Sequence, residues 1–195
     1  EVFTPPEFAN RMLDSLTESG AVVLHDRKVP NTRGNIDHVV IAASGVWIVD
    51  AKSDKVYKYT GAAARLSGSQ NAASSFSLNS ANKSPKDIVT NGASLWVVND
   101  SSADKVFKYS TSGSLQGSWT ISTPGASSPT GITVYPANPS DIWIVDSGSD
   151  KVYQYMAAAS LTTGIRVADA TFALAAGNTN PQGIADPPAP GTLQP

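Results

Sequence analysis

The sequence predicts a mainly β protein of about three four-stranded units, preceded by a short α/β segment. Three observations carry the prediction. A pattern of thirteen or fourteen residues occurs three times, as "WIVDAKSDKVYKY" (47–59), "WVVNDSSADKVFKY" (96–109) and "WIVDSGSDKVYQY" (143–155). Apolar residues make up 41% of the 195 positions and charged residues 15%, and the remainder is mostly Ser, Thr, Asn, Gly, Ala and Pro, which favours short strands joined by turns. Residues 1–45 do not fit the repeat and read as one helix followed by strands.

In the N-terminal segment, "TPPEFANRMLDSL" predicts a helix with Thr4 as N-cap, Pro5 at the first helical position and Glu7 three residues after the cap. Phe8, Met12, Leu13 and Leu16 then share one face. "AVVLHDRKV", "NIDHVVIA" and "GVWIVDAK" follow as strands separated by "PNTRG" and "ASG". Strand periodicity of two places Asp50 and Lys52 on the same face of the last of these.

The repeat has further markers. "SPKDIV", "SPTGIT" and "NPQGIA" precede or follow the units, and "SSFSL", "GSWTI" and "ATFAL" supply an aromatic strand to each. Pro85 to Pro181, Phe76 to Phe172 and Tyr59 to Tyr155 are each 96 residues apart, so the unit averages 48. Each unit reads as four short strands rich in β-branched and aromatic residues and bounded by Gly, Pro, Asn, Asp or Ser. Trp47, Trp96 and Trp143 are read as sheet-packing residues, with Tyr59, Tyr109 and Tyr155 as their structural companions at the end of each motif. Asp54, Asp104 and Asp150 are read as turn residues that bond their own backbone. "GIADPPAP" is the expected first strand of a fourth unit. The organisation expected is a helix plus three strands over 1–52, repeats over 46–185 and a proline-stiffened tail over 186–195.

Four strands at this period match a propeller blade. Residues 46–195 resemble β-propeller repeats of the NHL and SMP-30 type, and more closely those of large secreted or surface proteins of environmental bacteria. The resemblance implies propeller-like blades. Closed propellers have ~4 to 8 blades, so three imply an incomplete propeller, or one completed by a homo-oligomer.

Net charge is −2, with 7 acidic and 5 basic residues up to Lys52 and 9 of each after it, so no broad basic surface is available for nucleic acid. A local patch of Arg27, Lys28, Arg33 and Lys52 is the place such binding would use. The absence of Cys excludes disulfides and thiolate metal sites. No apolar run approaches the ~18 residues of a membrane span.

The chemistry-bearing residues cluster before residue 53. Phosphodiester hydrolysis needs carboxylates that hold a hard divalent cation and a cationic group near the attacking water. "VVLHDRKVP", "NIDHVVI" and "GVWIVDAK" resemble, in order and spacing over residues 7–52, the nuclease-related domain (NERD), a branch of the PD-(D/E)xK nuclease superfamily. The resemblance implies that Asp37 and Asp50 bind Mg²⁺ or Mn²⁺, that Lys52 positions or activates water, and that Glu7 completes the catalytic set. It also implies a further helix and strand, where this chain instead enters the repeat hairpin "SDKVYKYTG".

Each residue has a structural alternative. Glu7 satisfies a capping box, and Asp50 corresponds to Asp146 in a unit that has Gly148 where this one has Lys52. His25 and His38 are read as structural, because two His residues cannot build a cluster. The leading expectation is a non-enzymatic repeat module for binding or assembly, secreted or surface-exposed, with no cofactor and with a protein or carbohydrate ligand. The alternative is a cytoplasmic metal-dependent DNA endonuclease, with the repeats as a platform for a partner or the substrate.

Overall fold

The computed structural model describes residues 21–28, 35–42, 45–62, 67–135 and 138–185, the first two segments as backbone only. The predicted helix with Glu7 and the tail over 186–195 lie outside the described residues. Apart from short 3-10 turns, regular structure among the described residues is β throughout.

Three antiparallel meanders follow one another along the chain. The first sheet runs β1 (Ala21–Lys28), β2 (Asn35–Ala42), β3 (Gly45–Asp50), β4 (Lys55–Tyr59) and β5 (Ser74–Ser77). The second runs β6 (Pro85–Thr90), β7 (Ser94–Asn99), β8 (Lys105–Ser110) and β9 (Leu115–Ile121). The third runs β10 (Pro129–Tyr135), β11 (Asn138–Asp146), β12 (Lys151–Tyr155) and β14 (Ala170–Ala173). These are the predicted propeller-like blades.

Register confirms that the units are equivalent. Val40, Val89 and Thr133 stand opposite Trp47, Trp96 and Trp143 on their neighbouring strands. β2, drawn from "NIDHVVIA", therefore occupies in blade 1 the place that β6 and β10 hold in blades 2 and 3. The expected division near residues 46–52 falls inside one continuous sheet, because a strand of any origin satisfies the β3 backbone if its hydrogen-bonding period matches.

Of the expected strand "GIADPPAP", residues 183–185 form no strand and the rest lies outside the described residues. Thr130 Oγ1 donates to the Pro181 carbonyl at 2.6 Å and holds residues 181–185 beside β10. A β carbon on Gly131 would come within 2.6 Å of the Gly183 Cα, so only glycine permits the approach. The short β13 (Ile165–Arg166) was not foreseen; it pairs parallel to β9 and so straps blade 3 to blade 2. Two residues are too few to show a periodicity.

The blades stack face to face. Trp47, Val49 and Val56 of blade 1 meet Ile88, Leu95, Val97, Phe107 and Tyr109 of blade 2. Trp96, Val98, Val106 and Trp119 of blade 2 meet Ile132, Ile142, Ile144, Tyr153 and Tyr155 of blade 3. Blades 1 and 2 thus turn a tryptophan face to the next blade, and blades 2 and 3 turn a tyrosine face to the previous one. Aromatic stacking ties both interfaces, Phe76 on Tyr109 at 5.7 Å and Trp119 on Tyr155 at 5.1 Å between centroids. Trp47 and Trp96 are fully buried, whereas Trp143 is only half-buried.

All three turn aspartates act through their main chain, and Asp104 also makes the expected side-chain bond, its Oδ1 accepting the Ser101 N–H at 2.9 Å. Asp54 and Asp150 have φ of 52° and 53°, a left-handed conformation that Asp tolerates better than most residues. The carbonyls of Asp54, Asp104 and Asp150 accept the N–H of Leu78, Ile121 and Leu174 at 2.8, 2.8 and 2.9 Å, which anchors the fourth strand of each blade. Oδ1 of Asp54 and of Asp150 has no hydrogen-bond partner, so the expected side-chain bond to the backbone is not made by that atom.

Candidate functional site

β3 ends at Asp50, and residues 51–54 make the turn into β4. Asp50 organises that turn. Its Oδ1 accepts the N–H of Lys52 at 2.9 Å and of Ser53 at 3.3 Å, and its Oδ2 accepts the Ser53 hydroxyl at 2.8 Å. Partial desolvation pushes the carboxyl up, but the Ser53 hydroxyl, the two backbone N–H groups and the Lys52 charge together hold it below the ordinary value.

Lys52 is exposed in this turn and does not extend β3. The expectation that Asp50 and Lys52 share a strand face is corrected, because strand alternation stops where Asp50 caps the turn. Asp37 lies on β2, next to His38, which stands opposite Val49. The backbone therefore brings Asp37 and Asp50 to neighbouring register positions at one end of adjacent strands. The side chain of Asp37 and all of Glu7 lie outside the described residues.

The repeat provides a control for Asp50. Asp146 ends β11 in the same way: its Oδ1 accepts the N–H and the hydroxyl of Ser149, both at 2.8 Å. Its Oδ2 accepts the N–H of Ser127 at 2.9 Å and of Ser128 at 2.7 Å, tying down the loop that leads into β10. Asn99 at the end of β7 likewise accepts the Ser84 N–H at 2.8 Å, in the loop leading into β6. In blades 2 and 3 a side-chain oxygen at this position reaches the loop entering the blade, whereas the bonds of Asp50 lie within its own hairpin turn.

At this same end of the blades lies a polar cleft of about 330 Å³ lined by Ala51, Lys83, Ser84, Lys86, Thr130 and Gln182, with Pro85 at its wall. Lys86 Nζ pairs with Asp100 at 3.3 Å. The cleft offers ammonium, hydroxyl and amide donors and suits a polar or anionic surface group. Sequence reasoning did not select Lys83, Lys86 or Gln182; the signal was the recurring Ser/Asn-Pro marker, which sets all three loops at one end. Among the described residues, no three His, Asp or Glu side chains converge on a cation position.

Asp87 was also not selected. It is fully buried where β6 meets β10, and accepts the Ile88 N–H at 2.7 Å and, across the blade boundary, the Ile132 N–H at 2.8 Å. Desolvation raises its carboxyl well above the ordinary range, against the pull of those two N–H groups.

The family model of the nuclease-related domain matches residues 6–90. The nuclease-related match covers less than half of the chain, and it reaches past Lys52 through blade 1 to the end of β6. No curated protein matches the chain. Among solved structures, a candidate 6-phosphogluconolactonase from Bacteroides fragilis is similar at a TM-score of 0.43 and 13% identity, over 71% of this chain and 35% of that one. The nidogen/laminin complex is similar at 0.44 and 12%, over 72% and 63%. A protein of unknown function from Bacteroides caccae is similar at 0.46 and 7%, over 80% and 59%. The chain thus spans between about a third and under two thirds of the length of these structures. Among the described residues, no helix is long and apolar enough to cross a membrane.

Proposed function

We propose that the chain is a non-enzymatic β-propeller-type repeat module for binding or assembly, with a nuclease-like N-terminal segment built into its first blade. The observation that carries this reading is the Asp50 turn. Both oxygens of the carboxylate are engaged in closing the hairpin, as Oδ1 of Asp146 is in its own turn. Lys52 meanwhile stands exposed in the turn. The side chains of Glu7 and Asp37 lie outside the described residues, and we derive no step through Mg²⁺ or Mn²⁺. The module acts on a protein or carbohydrate partner through the polar cleft beside Lys83 and Lys86, in a secreted or surface setting.

A second reading is a Mg²⁺- or Mn²⁺-dependent endonuclease using Glu7, Asp37, Asp50 and Lys52. The match over residues 6–90 and the register that sets Asp37 beside Asp50 favour it. Plasmid nicking decides between the two. Incubated with either metal, the intact chain is expected to leave supercoiled plasmid unchanged. Nicking that disappears in Asp50→Ala and in Lys52→Ala would replace the module reading with the nuclease.

A further inference from the structure

The polar cleft of about 330 Å³ is lined by two lysines and by no carboxylate. Lys86 has a counter-ion, because its Nζ pairs with Asp100 at 3.3 Å. Lys83 is exposed, and no carboxylate among the described residues pairs with it. Of the other carboxylates in the hairpin turns at this end, Asp50, Asp104 and Asp146 are engaged by N–H groups of their own turns or of the adjoining loop. The Ser84 hydroxyl, next to Lys83, makes no hydrogen bond among the described residues. The cleft wall thus carries an unbalanced positive charge with an unused hydroxyl beside it.

The main chain on either side of Lys83 is fixed. Asn82 is fully buried, its N–H donating to the Asn79 carbonyl at 2.8 Å and its side-chain amide to the Tyr109 hydroxyl at 3.4 Å. Ser84 donates its N–H to Asn99 Oδ1 at 2.8 Å, and its carbonyl accepts the Asp100 N–H at 3.0 Å. On the blade 3 side Thr130 holds the Pro181 carbonyl, and Gln182 Nε2 donates to Asn180 Oδ1 at 2.7 Å. The walls are therefore formed before any ligand arrives, and binding costs little ordering of the backbone.

We propose that this cleft binds an acidic sugar residue of a polysaccharide, its carboxylate or sulfate on the Lys83 ammonium and its hydroxyls on Ser84 and Gln182. A lysine ammonium is a compact point charge that suits either anion. A concave wall of one sign raises the local concentration of the opposite one. The volume lies at the small end of ligand sites, which run from ~300 to 1,000 Å³, and so suits a sugar ring. Protein partners are anchored by aromatic or arginine side chains in well-packed pockets, whereas this wall is polar apart from Ala51 and Pro85. That difference favours a hydroxyl-rich ligand over an acidic peptide. The inference rests on the binding part of the proposed function and names its ligand. Glycan binding tests the one and plasmid nicking the other, so either can fail alone.

The test measures the affinity of the full chain for immobilised polygalacturonate and dextran sulfate, with neutral dextran and polyglutamate as parallel arms. We expect binding to at least one acidic glycan, weakened by added salt, and none to neutral dextran. Binding to polygalacturonate alone assigns the anion as carboxylate, and to dextran sulfate alone as sulfate. Lys83→Gln is expected to weaken binding roughly tenfold, as for loss of one hydrogen bond to a charged group. Lys83 is exposed, so the far-ultraviolet dichroism spectrum of this variant should be unchanged. Lys58, whose Nζ lies over the Trp47 ring outside the cleft, provides a control of equal charge. Lys58→Gln is expected to bind as the intact chain does. No binding to either acidic glycan, tighter binding to polyglutamate than to both, or equal losses in Lys83→Gln and Lys58→Gln would each overturn the proposal.

Discussion

Asp87 places a carboxyl where water is absent, between two inner strands of successive blades. Its carboxyl holds a proton more tightly in the folded chain than at the ordinary value of 3.8. The folded state therefore binds more protons than the unfolded one as pH rises past that value. The contribution of Asp87 is fully present below it and is lost as pH climbs through the raised folded value. Urea denaturation at a series of pH values should show this falling slope, and Asp87→Asn should flatten it. Asp87→Ala strands the Ile88 and Ile132 N–H groups and is expected to cost about 1 to 3 kcal/mol per group left unpaired. Tyr155 behaves similarly at the alkaline end: burial first, then nearby Tyr153 and acidic charge, push its hydroxyl up to about 12, against the bond to Thr123. Its contribution is present below pH 10 and lost as pH rises through about 12, so an absorbance titration of phenolate should show a late step that Tyr155→Phe removes.

The hairpins carry the next set of expectations. Asp54 and Asp150 hold left-handed backbone at the same place in blades 1 and 3. Asp150→Ala should cost about 1 kcal/mol, whereas Asp150→Gly should be close to neutral, as read by thermal midpoints. At β10, Gly131→Ala would drive a methyl group into the Gly183 Cα and the Ile184 N. Both atoms belong to backbone and cannot swing aside. Residues 181–185 should then leave β10, and faster proteolysis between Pro181 and Ala185 would report it. How much of this was legible in the sequence depended on spacing. The hairpins follow from three copies of one pattern, and the turn positions of Asp54 and Asp150 from the Lys-Val pair that follows them. The Asp50 turn was misjudged at Lys52 because alternation predicts a face only while the strand lasts. Asp87 was invisible because its partner, Ile132, lies 45 residues away and is joined to it only by folding.

At the scale of the whole molecule, three blades stack so that the second interface repeats the first, and both are filled by buried aromatic residues. Trp96 is 1% exposed between blades 2 and 3, so Trp96→Ala is expected to cost about 3 to 5 kcal/mol, read as a lowered urea midpoint.

The sequence by itself determined the local matters: a β protein, units of 48 residues, four strands in each, and tryptophans and tyrosines in recurring places. These follow from periodicity and turn chemistry, which act over a few residues and so are written in neighbouring positions. Only the tertiary structure decided that "NIDHVVIA" serves as the inner strand of blade 1, that Asp50 closes a turn, and that Asp87 bridges two blades. It alone also distinguished Trp143 from Trp47 and Trp96. Three residues of the same kind in the same motif differ because burial is a property of what lies opposite, and no segment among the described residues lies opposite Trp143 as blades 2 and 3 lie opposite Trp47 and Trp96.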